Sequence, residues 1–343
     1  MNVQFEALSE NLSSSQKEAY INEYKGLLFE YLVAKNCLDE NKIDQFYLQI
    51  PPHFLVRLHQ AQEALRFHDI ALYNFLNTAA HSTSEMIKNN LQKRSFEEVI
   101  LEGKLRSDYG PNNRVKSECD ILLLDSHRSY PLSLKFCKKN SFVNTKSGGV
   151  KTFLGKYFAP FLGAQVAQKE LNQVVEESFS HMAYKLHQLA GIAYDGVGFS
   201  TEFKNKYSEL PGEVPAEFQK IILQFYHCVV KVIFFHFKSM ANEDFELFCA
   251  NLLPLCGLLD PHLSQVICHY QKSHKNYSIG EIKWQDLQFF QNELKGLKFQ
   301  DLKEGNASFE ILTQNNILQI RVKPMNVYTV PGLKVNCSLK DFN

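Results

Sequence analysis

The chain has 343 residues, of which 45% are hydrophobic and 22% charged, with 37 basic residues against 37 acidic ones. That composition excludes a disordered chain, and a net charge of zero excludes a uniformly basic nucleic-acid binder while leaving room for a local basic patch. Eight cysteines form no C-x-x-C pair and mostly lie in apolar runs, so they are expected to be reduced, in a cytoplasmic protein without a disulfide frame or zinc knuckle.

The opening MNVQFEALSENLSSS lacks a basic start followed by an apolar stretch, so no signal peptide is expected. Residues 15–38 read as a helix, with Tyr20, Tyr24, Leu27, Leu28 and Tyr31 in one stripe. Pro51-Pro52 breaks the chain before helical patterns at about 53–66 and 71–93. EEVILEGKLR (97–106) reads as a further short helix and DYGPNN (108–113) as a loop. SECDILLLD then predicts a strand, DSHRS a turn and YPLSLKFC a second strand. A loop with Gly148-Gly149 follows, and KTFLGKYF predicts a short helix. From about 165 to 295 the pattern is mainly helical, with breaks at 196–200, 210–215 and 259–261. Its longest apolar stretches, such as CVVKVIFFHF, reach roughly half of what a membrane span needs, so no membrane partner is expected. Strand texture returns from 306 in SFEILT, NILQIRVKP, VYTVP and LKVNCSL.

The hairpin carries two residues foreign to a core, Asp120 at the head of its first strand and Lys135 in its second. Strand alternation puts Ser133 and Lys135 on one side, and an antiparallel turn brings Asp120 and Lys135 to the same end. One reading is an ion pair closing a sheet end. The other is a phosphodiesterase site, in which a carboxylate holds Mg²⁺ and the amine steadies charge on the phosphate.

Asp120 followed by Ser133-Leu134-Lys135 resembles the active-site pattern of the PD-(D/E)XK nuclease superfamily, with serine in the place of the second acid. The resemblance covers roughly residues 20–160. It implies a restriction-endonuclease-like α/β fold: a mixed sheet flanked by helices, with a helical insertion and a β-rich C-terminal segment. Residues 1–165 would form the core, 166–305 a mainly helical region and 306–343 a segment packed on the core. It also implies Asp120 as principal Mg²⁺ ligand and Lys135 as the group that positions water. Ser133 would hold a bound water. The stretch YKGLLFEYLVAK resembles the family's first helix and makes Glu30 the second carboxylate; Glu118, two residues before Asp120, competes for that role.

From Ser126 to Lys169 the chain has no acid but eight basic residues. Lys138, Lys139, Lys146, Lys151 and Lys156 there suit a phosphate backbone, and Ser147-Gly148-Gly149 before a short helix could offer backbone N–H groups. A second acid-free stretch, from Ile311 to Lys340, places Arg321 and Lys323 on one strand face. A solvated basic loop and a charge-protected edge strand are the plain alternatives. The histidines show no metal-site spacing, and nothing orients Cys137 and His127 as nucleophile and base. The expectation is a Mg²⁺-dependent endonuclease acting on double-stranded DNA, of the type II restriction kind, as a homodimer. Two others stay open: an inactive nuclease-fold binding module for DNA or protein, and a nuclease directed at RNA or repair substrates.

Overall fold

The computed structural model describes residues 14–93, 95–102, 119–274, 276–324 and 326–342, the side chains of residues 14–16, 324 and 331 excepted. The chain divides into two compact units, one made of Met1–Ser141 with Leu259–Leu287 and the other of Phe142–Leu258 with Gln288–Asn343.

In the first unit, α1 (Ser14–Cys37) buries Leu27, Leu28, Phe29, Tyr31, Val33, Ala34 and Cys37. Burial on consecutive positions means that this half of α1 is enclosed nearly all round, between other helices and a sheet. After α2 (Ile43–Gln49), α3 (Pro52–His68) starts with proline at its first turn, where the missing N–H costs nothing. Asp69 then opens α4 (Ile70–Asn90): its Oδ1 accepts from the Leu72 amide at 3.0 Å.

The segment 97–106, expected to be helical, instead gives strand β1 (Glu98–Leu101); its last four residues lie outside the described residues. Val99 and Leu101 are buried and Glu98 and Ile100 only half so, a period of two that fits a pleat. The expected hairpin follows as β2 (Ile121–Leu124) and β3 (Ser129–Lys138). The chain then crosses to the second unit with β4 (Val143–Gly149) and returns as β5 (Ser264–Ser273) and β6 (Asn276–Gln285). This returning hairpin lies in a region expected to be mainly helical. Seven consecutive residues of β5 are buried, and an unbroken buried run has no periodicity to distinguish strand from helix.

The first sheet runs β1-β2-β3-β5-β6; β3 and β5 are parallel and the other pairs antiparallel. One face packs on helices: Phe29 of α1 stacks on Phe136 of β3 at 4.8 Å, and Phe75 of α4 stacks on Tyr277 of β6 at 5.8 Å. Leu132, Leu134, Phe136, Val266 and Cys268 belong to that face, so Ser133, Lys135 and Gln265 point to the other.

The second unit holds α5 (Phe153–Tyr157), α6 (Ala164–Ala190), α7 (Thr201–Lys206), α8 (Ala216–Glu243), α9 (Phe245–Leu252) and most of α10 (Leu287–Leu294). Its sheet runs β4-β10-β9-β8-β7, built with β7 (Lys298–Phe299), β8 (Ser308–Leu312), β9 (Asn316–Pro324) and β10 (Leu333–Asp341), all antiparallel. The C-terminal segment is thus β-rich as expected, but it belongs to this second sheet. VYTVP contributes a 3₁₀ turn (Val330–Gly332) rather than a strand. α8 extends well beyond CVVKVIFFHF to 28 residues, long and apolar enough by length and composition alone to cross a membrane, although half of its most apolar window is buried within the fold. Its Phe234 and Phe237 pack on Phe309 of β8, at 5.1 and 5.7 Å between rings.

Candidate functional site

The β2–β3 turn is held by its own first residue. Asp125 Oδ1 accepts from the amides of His127 and Arg128 at 2.8 Å each, while Oδ2 accepts from Tyr130 at 3.0 Å and pairs with Lys93 at 3.1 Å. The His127 N–H and the Lys93 ammonium hold the Asp125 carboxyl well below the usual carboxylate range. That pinned turn fixes which residues face each other at the open end of the hairpin.

There, Asp120 stands one residue before β2, with its N–H donating to Leu132 O at 2.8 Å. Its Oδ2 accepts the Leu134 N–H at 2.6 Å, so the carboxylate completes the strand edge where β2 has ended. Ser133 Oγ donates to the same Oδ2 at 3.1 Å and accepts from Lys135 Nζ at 2.8 Å. Lys135 Nζ lies 3.5 Å from Asp120 Oδ2. The three residues therefore form one charge-assisted chain from ammonium to hydroxyl to carboxylate. All of Asp120's side-chain hydrogen bonds fall on Oδ2; Oδ1 accepts none among the described residues. The Asp120 and Lys135 side chains keep 18% and 29% of their surface exposed, which leaves the site open to a ligand.

The strand register extends this site across the sheet. Leu101 pairs with Ile121, and the Glu102 N–H donates to Asp120 O at 3.0 Å, which sets Glu102 opposite Asp120. Ser133 faces Gln265 and Gln265 faces Gln285. Glu102, Asp120, Ser133, Gln265 and Gln285 thus form one transverse row of polar residues over all five strands, on the face away from the helices. Glu102, Ser133, Gln265 and Gln285 are each at most 4% exposed, and polar groups so buried need polar company. Two residues along β3 from Lys135, Cys137 Sγ lies 3.5 Å from His269 Nδ1, and Glu281 faces His269 from β6. His127, the histidine that sequence set beside Cys137, sits in the Asp125 turn instead.

Glu30 is half-buried on α1, next to Phe29, and α1 covers the face opposite the one that carries Ser133 and Lys135. Glu118 lies outside the described residues. Among the described residues, no three His, Cys, Asp or Glu side chains gather closely enough to hold a metal ion. Glu102 is hidden to sequence because its segment reads as helix; the signal available is the apolar spacing of Val99 and Leu101, two apart.

The basic residues split. Lys138 ends β3 exposed, and Lys139 follows it in the first unit. Ser147, Gly148 and Gly149 stand not in a loop but in strand β4, paired with Asn336, Val335 and Lys334. A Cβ on Gly148 would come within 3.1 Å of the Tyr157 ring and 3.2 Å of the Phe153 ring, so a close ring approach explains that glycine. Lys146 is half-buried, and burial together with Lys156 lowers its amine to about 8. Lys151 pairs with Glu176 at 3.2 Å, and Lys156 lies over the Tyr157 ring. Arg321 and Lys323 are exposed on β9.

No family model, curated protein or solved structure matches the chain.

Proposed function

We propose that the chain is a metal-dependent nuclease of PD-(D/E)XK type that hydrolyses phosphodiester bonds in double-stranded DNA at Asp120, Ser133 and Lys135. The observation that carries the reading is the chain Lys135–Ser133–Asp120 at the open end of β2 and β3, with Asp120 Oδ1 left available. The α/β layout supports it: a helix, an antiparallel three-strand meander, then a strand parallel to the third.

Two carboxylates suit Mg²⁺, which keeps several waters of its own and needs few protein oxygens. Asp120 and Glu102, across the strand pair, are the residues that would hold it; Glu30, which the resemblance implies, lies on α1 over the opposite face of the sheet. Bound there, the ion would supply Lewis-acid stabilisation of charge on the scissile phosphate. Lys135 offers its remaining N–H bonds to an attacking water or to a phosphate oxygen, where a fixed cation lowers the cost of added charge. Ser133 holds Lys135 in place and so occupies the vacated acid position as a positioning residue. The Leu134 N–H and Ser133 O–H orient the Asp120 side chain through its Oδ2.

The test is incubation of the full chain with duplex DNA in Mg²⁺ and in EDTA. Cleavage is expected only with Mg²⁺, and Asp120→Ala and Lys135→Ala should each abolish it while circular dichroism stays unchanged. Cleavage by both variants would overturn the roles. A second reading, a nuclease-fold module that binds DNA without cutting it, is favoured by one observation: Lys135 is spent directly on Ser133 and Asp120. Binding without Mg²⁺-dependent cleavage in the same experiment would select it.

A further inference from the structure

The second sheet turns one face toward α8 and the other toward solvent. On the α8 side lie Phe309, Ile311, Leu318, Ile320, Val322, Val335 and Cys337, all buried. The opposite face carries two transverse rows fixed by register. Arg321, Asn336 and Ser147 form one; Lys323, Lys334 and Gly149 form the next. Arg321, Lys323, Ser147 and Gly149 are exposed, and Lys334 and Asn336 half-exposed.

Lys323 and Lys334 stand directly opposite each other, an arrangement of like charges that costs stability in a sheet. Among the described residues, Arg321, Lys323 and Lys334 make no ion pair. The nearest acid on this face is Glu310, one row away on β8 and engaged by Gln319 Nε2 at 3.4 Å. Ser147 Oγ donates to Asn336 Oδ1 at 2.7 Å, which holds the Asn336 amide in place in the first row. Residues two apart on a strand are about 6.8 Å apart, and adjacent strands about 4.8 Å, so these three cations sit within reach of neighbouring phosphates.

We infer that the solvent-facing side of the β4-β10-β9 sheet is a docking surface for the phosphate backbone of duplex nucleic acid, gripped by Arg321, Lys323 and Lys334 with the Asn336 amide nitrogen as a neutral donor. The charge is complementary, and neither row holds an aromatic side chain on which the bases of a single strand could stack. The inference rests on the nuclease reading only for its choice of duplex as the ligand; the binding itself needs neither the metal nor Asp120.

The experiment measures binding of the full chain to a fluorescent duplex in EDTA over a range of salt. Removing one cation that neutralises a phosphate should flatten the log–log salt dependence by about 0.9. The triple variant Arg321→Ala, Lys323→Ala, Lys334→Ala is therefore expected to lose a slope of ~2–3 and to bind ~100-fold more weakly near 0.1 M salt. All three are surface positions, and an unchanged melting temperature checks the fold. Lys220→Ala, at an exposed lysine of α8 outside both rows, should bind as the wild type does. Unchanged affinity and slope in the triple variant would overturn the surface, as would a preference for single strands or no duplex binding by the wild type. Wild-type binding with this slope but no cleavage would sink the nuclease reading and leave the surface standing.

Discussion

Glu102 and Asp120 face each other across the β1–β2 pair, joined by the Glu102 amide on the Asp120 carbonyl oxygen at 3.0 Å. Two acids therefore leave neighbouring strands at one level of the sheet, where sequence points to Glu30 on a distant helix. If Glu102 shares the metal with Asp120, Glu102→Gln should lower Mg²⁺ affinity by ~10–100-fold, read by calorimetry on the folded chain. Glu30→Gln is the companion variant. A loss confined to Glu30→Gln would return the second carboxylate to α1.

Ser133 is the link through which Lys135 is held. Ser133→Ala removes both the acceptor of Lys135 and a donor to Asp120. It is expected to lower kcat by ~10–100-fold with little change in KM, the pattern of a group that fixes transition-state donors rather than binds substrate. An unchanged kcat would show that the ammonium needs no such support.

The Asp125 turn predicts an acid-sensitive hairpin. Its folded-state pKa lies below the unfolded value, so its contribution is full above about pH 4 and is lost as pH falls through the depressed value. Asp125→Asn should lower the melting temperature at pH 7 and narrow the gap to the wild type in acid. Parallel curves at all pH values would contradict this.

Glu293 does comparable work in the second unit. Its carboxylate accepts from Thr313 Oγ1 at 2.7 Å, Asn315 N at 2.9 Å and Asn316 Nδ2 at 2.8 Å, which anchors the β8–β9 turn to α10. Burial pushes this carboxyl up, but the Asn316, Thr313 and Asn315 donors outweigh it and hold it below its ordinary value. Glu293→Ala should cost ~2–4 kcal/mol in urea unfolding, because several donors lose their acceptor at once. The wild-type advantage should shrink as pH falls below about 4.

Lys146 gives the opposite limb. Its folded pKa of about 8 lies below the unfolded one near 10.5, so between these values the unfolded chain binds the extra proton. Stability should rise as pH climbs from about 8 to about 10.5, and Lys146→Met should abolish that rise. Melting temperatures across this window provide the check.

The hairpin is legible because local rules suffice for it. The short apolar run ILLL and the alternation in SLKF, with Asp at the head of a turn, specify strand, turn and strand without distant help. EEVILEGKLR reads as helix because Glu, Leu and Lys are good helix formers, and only the sheet decides in favour of its two buried positions. β5 escapes a sequence reading because VICHY is buried on both faces. Gln265, Gln285 and His269 join the site through register between strands far apart in sequence, which no local pattern announces. The basic residues are visible as charge, but which of them share a face depends on β4 pairing with β10.

The parallel pairing of Leu132 with Ser264 joins positions more than a hundred residues apart, and the whole chain between Ser141 and Leu259 belongs to the other unit. A ribosome adding about 5–20 residues per second would need roughly 10 s to bridge that gap. During that interval β3 would wait with one edge bare, its serine and lysine already made but the Gln265 strand still unsynthesised. The nascent first sheet is thus a place where a chaperone or a mispaired neighbour would compete with β5.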